Sequence, residues 1–467
     1  MVFRHRQILA KRESASAKAI KRREKYMELN RRLKNYIAVI FVFVIAFPIL
    51  WMSGCGQNPV AVSANQPVEV KVAFWGSPEE IEIVTTALKP WQESHPGIKI
   101  RFEHTPYSGY DSKILTRIAG GAAPDIIAAE VNYFVTFASK NVYVDLTPYE
   151  QNDPEFSIQD FFPSIVERFT RNGKLLAIPR DVAPFACVFY NKDIFDHEGI
   201  PYPTDDWTWN DLLEKAKALT QYDEKTGRVT QYGFYGWAWQ NFVYGNGGAL
   251  VDDAEHPAKS KLEDPLTLEG IQYFADLINV HKVMPTPMAL ANAGMGIDLL
   301  FSSGRLAMFL SGIWETPQLR QKEGLRWDVA MFPKNANGIR KFGSGGTGYG
   351  ILKSSKHPKE AWEIVKALTN GKVQAELARR GLAQPAIRKI AEGADWAGSP
   401  LPPDNKKMLN EAVAYIVFDP FHPKWREIEA KYVLPELDLI KIGRETARDG
   451  MKKIDLQVSQ MLEASKA

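Results

Sequence analysis

The segment that follows residue 67 reads as a strand, a helix and a second strand, and this order restricts the possible fold more than any other feature. Valines alternate with charged residues over residues 68–75, which predicts a strand. Ser77 is suited to cap a helix that has Pro78 in its first turn and Glu80 three residues after the cap. A second strand is predicted over residues 98–102. Two strands joined by one helix indicate a right-handed βαβ unit in a parallel sheet.

The same pattern continues along the chain. A helix is predicted over residues 111–119, a buried strand over residues 124–129 and another helix over residues 133–140. This alternation predicts an open α/β sheet, and ligands bind such sheets at the carboxyl ends of the strands. The residues expected at that edge are Trp75, Tyr107, Glu130, Asn132 and Tyr133.

A second α/β region is predicted between two segments that can cross from one region to the other. The first is the extended stretch 175–190, and the second is the glycine-rich stretch 343–350. The second stretch satisfies G-x-G-x-x-G, but no helix opens after it, so we interpret it as flexible crossover backbone rather than a dinucleotide site. The main helices expected from residue 200 onward are 207–219, 266–280, 304–320 and 358–369, followed by a charged helix that ends at Leu462.

An export signal is predicted near the start of the chain. An apolar run at residues 36–52 is preceded by twelve Lys or Arg and three Glu, and is followed by Ser53-Gly54 and Cys55. This order resembles the bacterial lipobox, in which the cysteine is acylated and becomes the new N-terminus, although Met52 replaces the usual Leu or Val. The alternative is an uncleaved transmembrane anchor, since 17 apolar residues are close to the minimum for a spanning helix. Under either interpretation, residues 55–467 face outward.

Composition argues against several functional classes. The segment before the apolar run carries more net positive charge than the +3 of the whole chain. The exported part is therefore acidic, and its composition offers no basic face for nucleic acid. The one cysteine besides Cys55 is Cys187, which we expect in the core, so no intramolecular disulfide is expected. No H-E-x-x-H, G-x-S-x-G or C-x-x-C motif occurs, and no metal or cofactor is expected. A carboxylate pair for glycoside hydrolysis stays open as an enzyme alternative, because such a pair is defined by its separation in space.

Aromatic residues are the richest functional signal. Eleven tryptophans follow Cys55, and several stand near glycine, including Trp237, Trp239 and Trp314. The C–H faces of sugars pack on aromatic rings while Asp, Glu and Asn bind the hydroxyl groups. The tryptophans that are not needed in the core are therefore candidates for binding a saccharide.

Five motifs carry a resemblance to a known family. They are Ala122-Ala-Pro-Asp-Ile-Ile127, Val144-Asp-Leu-Thr-Pro-Tyr149, Phe189-Tyr-Asn-Lys-Asp-Ile-Phe195, Trp207-Thr-Trp-Asn-Asp-Leu-Leu213, and Gly304-Arg-Leu-Ala-Met308 with Gly312-Ile-Trp314. Together they resemble the extracellular solute-binding proteins of ABC importers, in the group of maltose-binding and multiple-sugar-binding lipoproteins. The resemblance covers nearly everything after residue 67, with Asn141 in place of a glycine that is usual in the family.

This resemblance implies an α/β, two-lobed periplasmic-binding-protein-like fold of type II. Each lobe is expected to be an open, mostly parallel sheet flanked by helices, with the ligand cleft between the lobes. The expected division is 1–54 signal peptide, 55–67 flexible tether, 68–182 first lobe, 183–342 second lobe, 343–384 return to the first lobe, and 385–467 a C-terminal helical part mainly in the second lobe.

The resemblance also implies which residues contact the ligand. They are Trp75, Glu130 or Asn132, Asp181, Trp237, Trp314, the Gly345-Gly346-Thr347 segment and Trp425, to which Tyr107 is added because it follows a predicted strand. Ala128-Ala129 stands where relatives often carry a larger contact residue. No arginine cluster for a phosphate or carboxylate ligand is visible, which favours a neutral saccharide.

The expected function is the membrane-tethered binding component of an ABC importer, which captures a sugar or oligosaccharide by lobe closure and delivers it to permease subunits. The protein is expected to be a monomer, lipid-anchored at the outer face of the cytoplasmic membrane or in the periplasm, without a nucleic-acid partner. Two alternatives stay open: a secreted enzyme that acts on polysaccharide, and a structural lipoprotein that uses the fold without a ligand.

Overall fold

The structure is a computed structural model that describes residues 67–464. The predicted signal peptide, Cys55 and all but the last residue of the tether lie outside the described residues. Within residues 67–464, no helix combines the length and the apolar character needed to span a membrane.

The described residues form sixteen strands. They are β1 (Val68–Phe74), β2 (Ile98–His104), β3 (Ile126–Glu130), β4 (Thr170–Arg171), β5 (Lys174–Leu175), β6 (Ile178–Pro179), β7 (Asp181–Pro184), β8 (Cys187–Asn191), β9 (Gln221–Tyr222), β10 (Val229–Gly236), β11 (Leu306–Ser311), β12 (Trp327–Met331), β13 (Phe342–Gly345), β14 (Thr347–Ile351), β15 (Gln384–Pro385) and β16 (Ile416–Val417).

The α-helices are Pro78–Ser94, Tyr110–Ala119, Val131–Ser139, Thr147–Gln151, Pro163–Arg168, Lys192–Glu198, Trp209–Ala218, Gln240–Gly245, Pro265–Asn279, Pro287–Ala293, Ile297–Ser302, Thr316–Leu319, Pro358–Thr369, Gly371–Arg380, Arg388–Ala391, Met408–Ala412, Trp425–Ile428, Leu434–Lys441 and Ala447–Glu463. Short 3₁₀ segments lie at Ile158–Asp160, Ile313–Glu315, Asp404–Lys407 and Val413–Tyr415, and a π-helical turn lies at Glu429–Val433.

Helix starts follow the capping signals in the sequence. The hydroxyl of Ser77 accepts a hydrogen bond from the amide of Glu80 at 3.3 Å, and the Glu80 carboxylate accepts one from the amide of Ser77 at 2.6 Å. Thr208 and Asp211 form the same reciprocal box at the start of Trp209–Ala218. Because these side chains satisfy amides that have no partner inside the helix, each box fixes where its helix begins.

The first sheet has the strand order β2-β1-β3-β14-β6. Strand β1 pairs in parallel with β2 and β3, as the βαβ prediction requires, whereas β14 runs antiparallel to β3 and β6. Strand β3 runs toward the other lobe and β14 brings the chain back from it, so the two neighbours must point in opposite directions. The first sheet is therefore mixed.

The second sheet has the order β12-β8-β11-β10-β9, and its one parallel pair is β10 with β11. Strand β8 carries the chain into this lobe and β12 carries it out, so they pair antiparallel. The expectation of mostly parallel sheets is wrong for this lobe, because strands that enter and leave through one crossing region oppose each other.

A third sheet, which we call the crossing sheet, joins the two lobes. It has the order β15-β7-β13-β16, and its central pair aligns Ser344 with Pro184 and Gly345 with Ala183. The predicted flexible backbone at 343–350 is instead buried strand, since β13 and β14 occupy nearly all of it. The predicted lobe boundaries fall inside β7, β13 and β15 and stay predictions.

The segment 304–320, predicted as a helix, is a strand followed by short turns. Leu306–Ser311 is the fully buried strand β11, and a 3₁₀ turn at Ile313–Glu315 leads into the helix Thr316–Leu319. A short continuous apolar run is compatible with either a buried strand or a buried helix, so periodicity does not distinguish them. The central position of β11, between β8 and β10, decides the matter in favour of a strand.

Each large sheet is packed in its own hydrophobic core. The first core contains residues of β1, β3 and β14 and the helix Pro358–Thr369. The second contains residues of β8, β10, β11 and β12 and of the C-terminal helices up to Leu462. Cys187 is fully buried in the second core, as predicted.

Candidate functional site

A cavity of about 590 Å³ lies against the crossing sheet and is lined from both lobes. Its walls are formed by residues at or just after the carboxyl ends of β1 and β3 in the first sheet and of β10 and β11 in the second. This is the edge at which open α/β sheets bind ligands, and the volume lies within the usual range of roughly 300 to 1,000 Å³ for small-molecule sites.

Most of the predicted contact residues meet at this cavity. Its lining includes Trp75, Tyr107, Glu130, Asn132, Asp181, Trp237, Trp314, Gly345, Gly346 and Thr347. Their contact with a ligand stays a prediction, since the structure establishes only that they share one cavity.

Trp425 is placed differently from the prediction. Its side chain is 2% exposed, packs in the second core and does not line the cavity, whereas the next residue, Arg426, does. Neighbouring residues of a helix point about 100° apart, as follows from 3.6 residues per turn. The expectation that Trp425 lines the cavity is therefore corrected. The side chain that reaches the cavity from this short helix is that of Arg426.

The wall from the second lobe is aromatic. The ring of Phe185 lies 4.8 Å from that of Trp237 and 6.1 Å from that of Trp314, both in edge-on geometry. The indole nitrogen of Trp314 donates to Glu315 Oε1 at 3.1 Å, which fixes the plane of the ring. A Cβ added at Gly312 would overlap the six-membered ring of Trp314, so the absence of a side chain at Gly312 makes room for the indole.

The wall from the first lobe carries a smaller aromatic group. Trp75 meets Tyr107 edge-on, with ring centroids 5.7 Å apart, and Tyr107 stacks on Tyr133 at 5.2 Å. Tyr107 is 46% exposed and Trp75 is half-buried, so both rings keep apolar surface that a ligand can cover.

Glu130 is a buried carboxylate in the wall from the first lobe. It ends β3, and its carboxylate accepts hydrogen bonds from the amide and the side chain of Asn132 at 2.9 and 3.0 Å. Burial raises the pKa of Glu130 to about 8, against the opposite effect of these bonds. A Cβ at Gly345 would lie 3.3 Å from the Glu130 carboxylate, so the glycine lets β13 pass close to it.

An ion pair at the start of the crossing sheet holds two strands together. Arg180 donates from Nε to Asp181 Oδ2 at 2.6 Å, and Asp181 Oδ1 accepts from the amide of Thr347 at 2.9 Å. Burial opposes the charge of Arg180, but the carboxylate of Asp181 holds the pKa of the guanidinium above its usual value. The pair positions Thr347 at the cavity.

A second ion pair comes from the C-terminal region. Arg426 donates to Glu429 Oε2 at 2.8 Å, and its guanidinium lies 4.9 Å from the centre of the Tyr133 ring, in cation–π geometry. Burial, reinforced by the charge of Asp419, raises the pKa of Glu429 to about 7.

Sequence reasoning missed several residues that line the cavity. They are Glu80, Arg180, Phe185, Gln240, Asp419, Arg426 and Glu429, together with apolar residues of the crossing region, whereas Trp239 was among the candidate tryptophans. The two arginines are far apart in sequence, so no local cluster indicated them. The position of Arg180 directly before Asp181 was the one signal that could have led to it.

Among residues 67–464, no group of three or more His, Cys, Asp or Glu side chains is arranged to hold a metal ion.

The fold and this cavity define a two-lobed α/β binding protein with its site between the lobes. Residues 76–375 match the family model of the bacterial extracellular solute-binding proteins. The chain belongs to this family.

Individual relatives agree with that assignment. The chain is 25% identical over 298 residues to a Brucella abortus protein described as a binding protein, with 60% of this chain and 66% of that protein aligned, so it spans slightly less than two thirds of that relative's length. It is 22% identical over 378 residues to a Streptomyces antibioticus protein described as a lipoprotein, covering 76% of this chain and 79% of the relative.

A solved structure confirms the fold class. The ABC substrate-binding protein of Listeria monocytogenes in complex with cycloalternan superimposes with a TM-score of 0.77 at 24% identity, covering 85% of this chain and 99% of that one. The prediction of a two-lobed α/β binding-protein fold is confirmed, and the family favours the binding interpretation over the enzyme alternative.

The buried carboxyl of Glu130 predicts a specific dependence of stability on pH. Its pKa is raised in the folded state, so the folded protein holds this proton more tightly than the unfolded chain. The free energy of unfolding should therefore fall as pH rises from the pKa of the unfolded chain, about 4.3, to the folded value of about 8. Glu130→Gln removes this dependence. The variant should gain stability relative to the parent by at most about 1.4 kcal/mol per pH unit across that window.

Urea unfolding of the two proteins at several pH values between 5 and 8.5 tests this expectation. Glu214 is an exposed carboxylate on the helix Trp209–Ala218, outside the cavity lining, so Glu214→Gln is the control and should follow the parent at every pH. A constant difference between Glu130→Gln and the parent would contradict it.

Proposed function

We propose that this protein is the membrane-tethered binding component of an ABC importer, and that it captures a sugar or oligosaccharide in the cavity between its lobes. The single observation that carries this proposal is the composition of the cavity, in which aromatic rings from both lobes face buried carboxylates and amides. Aromatic faces suit sugar C–H surfaces, and the acceptors suit hydroxyl groups. The complex of the structurally similar Listeria protein with cycloalternan supports the same ligand class.

A saccharide screen by thermal unfolding tests the proposal. Purified residues 56–467 are heated with mono- and oligosaccharides, and a ligand present at 100 times its Kd should stabilise the protein by about 2.7 kcal/mol. Chromatography of the recovered saccharide distinguishes binding from hydrolysis, because a binding protein returns it unchanged. Degradation of the saccharide would favour the enzyme alternative, and no response to any saccharide would overturn the proposed ligand class.

Ligand capture should be accompanied by closure of the lobes. The lobes are joined by the short strands β7, β13, β15 and β16, and bending at such connections is the usual hinge motion of two-lobed proteins. We expect a smaller radius of gyration in solution scattering when a saccharide saturates the site. An identical radius with and without ligand would contradict the clamp mechanism.

Anchoring by Cys55 and delivery to permease subunits complete the proposal. The lipobox-like sequence Ser53-Gly54-Cys55 supports a lipid anchor, as does the relative described as a lipoprotein. A monomeric, tethered protein at the outer face of the cytoplasmic membrane, or in the periplasm, would keep the captured solute beside its transporter.

A further inference from the structure

The charges that line the cavity are unbalanced. Five carboxylates face it, and two guanidiniums do. Both guanidiniums already have a carboxylate partner: Arg180 pairs with Asp181 at 2.6 Å, and Arg426 pairs with Glu429 at 2.8 Å. The arginines of this cavity are therefore engaged by the protein itself and are poorly available to an anionic ligand. The remaining carboxylates are Glu80, Glu130 and Asp419.

These three carboxylates differ in their surroundings. Asp419 is influenced by the nearby charges of Arg168 and Arg426. The charges of Arg168 and Arg426 also reach Glu130, and that of Arg180 reaches Glu80. None of these arginines forms an ion pair with Glu80 or Glu130, whose carboxylates accept hydrogen bonds from neutral donors: the amide of Ser77 for Glu80, and Asn132 for Glu130. Burial without a cation is costly for a carboxylate, so Glu130 holds its proton in the free protein, and a cation brought by a ligand would stabilise its ionised form.

Two amide oxygens give an independent indication of what the ligand offers. Asn132 Oδ1 and Gln240 Oε1 are buried and have no hydrogen-bond partner, although both residues line the cavity and each is only 8% exposed. Unsatisfied buried acceptors are rare in folded proteins. Because the unsatisfied atoms are acceptors, a ligand that carries donors completes the site, and both the hydroxyl and the ammonium groups of an amino sugar are donors.

We propose that the ligand is an amine-bearing saccharide, whose ammonium group lies beside Glu130 and Asn132 while its sugar rings pack on Trp237 and Trp314. This inference rests on the proposed function and narrows it from saccharides in general to amino sugars and their oligomers. It replaces the neutral saccharide favoured by the sequence, because the unpaired carboxylates and free acceptors become apparent only when the cavity is assembled. Uronic acids and sugar phosphates should be excluded by the same charges.

A matched series of ligands tests the proposal. Glucose, glucosamine, N-acetylglucosamine and glucuronate share one ring, and their β-1,4-linked oligomers of two to four units share one backbone. Affinities are measured by calorimetry with the whole exported chain at about pH 6.5, where an amino-sugar nitrogen is protonated. We expect the amine-bearing members to bind at least about tenfold more tightly than their neutral and N-acetylated counterparts, the scale of one hydrogen bond to a charged group. The glucuronate series should not bind.

Glu130→Gln identifies the group responsible. The variant keeps the size of the side chain but cannot ionise beside the ammonium group, so it should weaken binding of the amine by about tenfold and leave the neutral counterpart within about twofold. Glu214→Gln, which lies outside the cavity, should change neither affinity. Circular dichroism of each variant confirms that it is folded.

The outcomes separate this inference from the proposed function. Binding of neutral saccharides with no preference for the amine, or an equal loss of both ligands in Glu130→Gln, would overturn the inference and leave the saccharide function intact. A response to no saccharide of any charge would overturn both.

Discussion

Replacing Cys55 with serine should abolish incorporation of lipid and move the protein from the membrane to the soluble fraction. The thiol of Cys55 is the acceptor of the lipid in the predicted lipobox, and the hydroxyl of serine does not take its place. Bacterial lipoproteins carry two or three acyl chains, whereas a single chain anchors only marginally. Loss of the thiol therefore removes the whole anchor, and the expected effect is complete rather than partial. The measurement is metabolic labelling with a fatty acid, followed by fractionation.

Cys187→Ser is the matched control, because it changes the one other cysteine of the chain. Cys187 is fully buried in the second core, where burial raises the pKa of its thiol, and it should contribute nothing to labelling. The control variant should be labelled and retained like the parent. If Cys55→Ser lost the label but stayed in the membrane, the transmembrane-anchor alternative would be supported instead.

Local signals were sufficient to predict much of the first lobe. The valine alternation before Trp75 became β1, and the Ser77 cap begins the helix Pro78–Ser94 as expected. These elements depend on hydrogen bonds and side-chain periods that span only a few residues. The helix Pro358–Thr369 was predicted with its exact bounds for the same reason, since its first-turn proline and apolar stripe are contiguous in sequence.

Features that depend on the neighbouring strands were predicted less well. The apolar run that forms β11 reads equally well as a helix, and its six residues are all buried between β8 and β10. The glycine-rich segment 343–350 was expected to be flexible, yet its residues are paired with Ala183, Pro184 and the strand β3. In both places the partner strand, which is distant in sequence, determines the conformation.

The candidate site shows the same division. Trp75 and Glu130 directly follow predicted strands, and both line the cavity. Ligands bind open α/β sheets at the carboxyl ends of the strands, so knowing where each strand ends was enough to predict these positions. The ion pairs of Arg180 and Arg426 were not foreseen, because each depends on the direction in which a side chain leaves its element. Trp425 was predicted to contact the ligand, but its side chain packs in the second core. The cavity is lined instead by Arg426, the next residue in the sequence.

Trp314→Ala should weaken saccharide binding by roughly 1 to 3 kcal/mol, or about fivefold to about 150-fold, while the protein stays folded. The indole lies beside Phe185 and Trp237, with ring centroids 6.1 and 6.4 Å away. It lines the cavity and is half-buried, so its removal deletes apolar surface that a sugar ring would cover. Part of the ring also packs against both cores, so a modest loss of stability should accompany the loss of affinity. Calorimetric titration measures the first effect and urea unfolding the second.

Two further variants distinguish a ligand platform from a core residue. Gly312→Ala keeps the indole but places a methyl group where its six-membered ring lies, and since the φ of Gly312 is −111°, the backbone itself tolerates alanine. The ring must therefore shift, and affinity should fall although Trp314 is still present.

Trp396, which is fully buried and does not line the cavity, is the core reference. Trp396→Ala should destabilise by about 3 to 5 kcal/mol, as truncations of buried aromatic residues do, without a specific effect on binding. If Trp314→Ala behaved like Trp396→Ala in unfolding and bound saccharide as tightly as the parent, Trp314 would be a core residue and the aromatic wall would have to be assigned to Phe185 and Trp237.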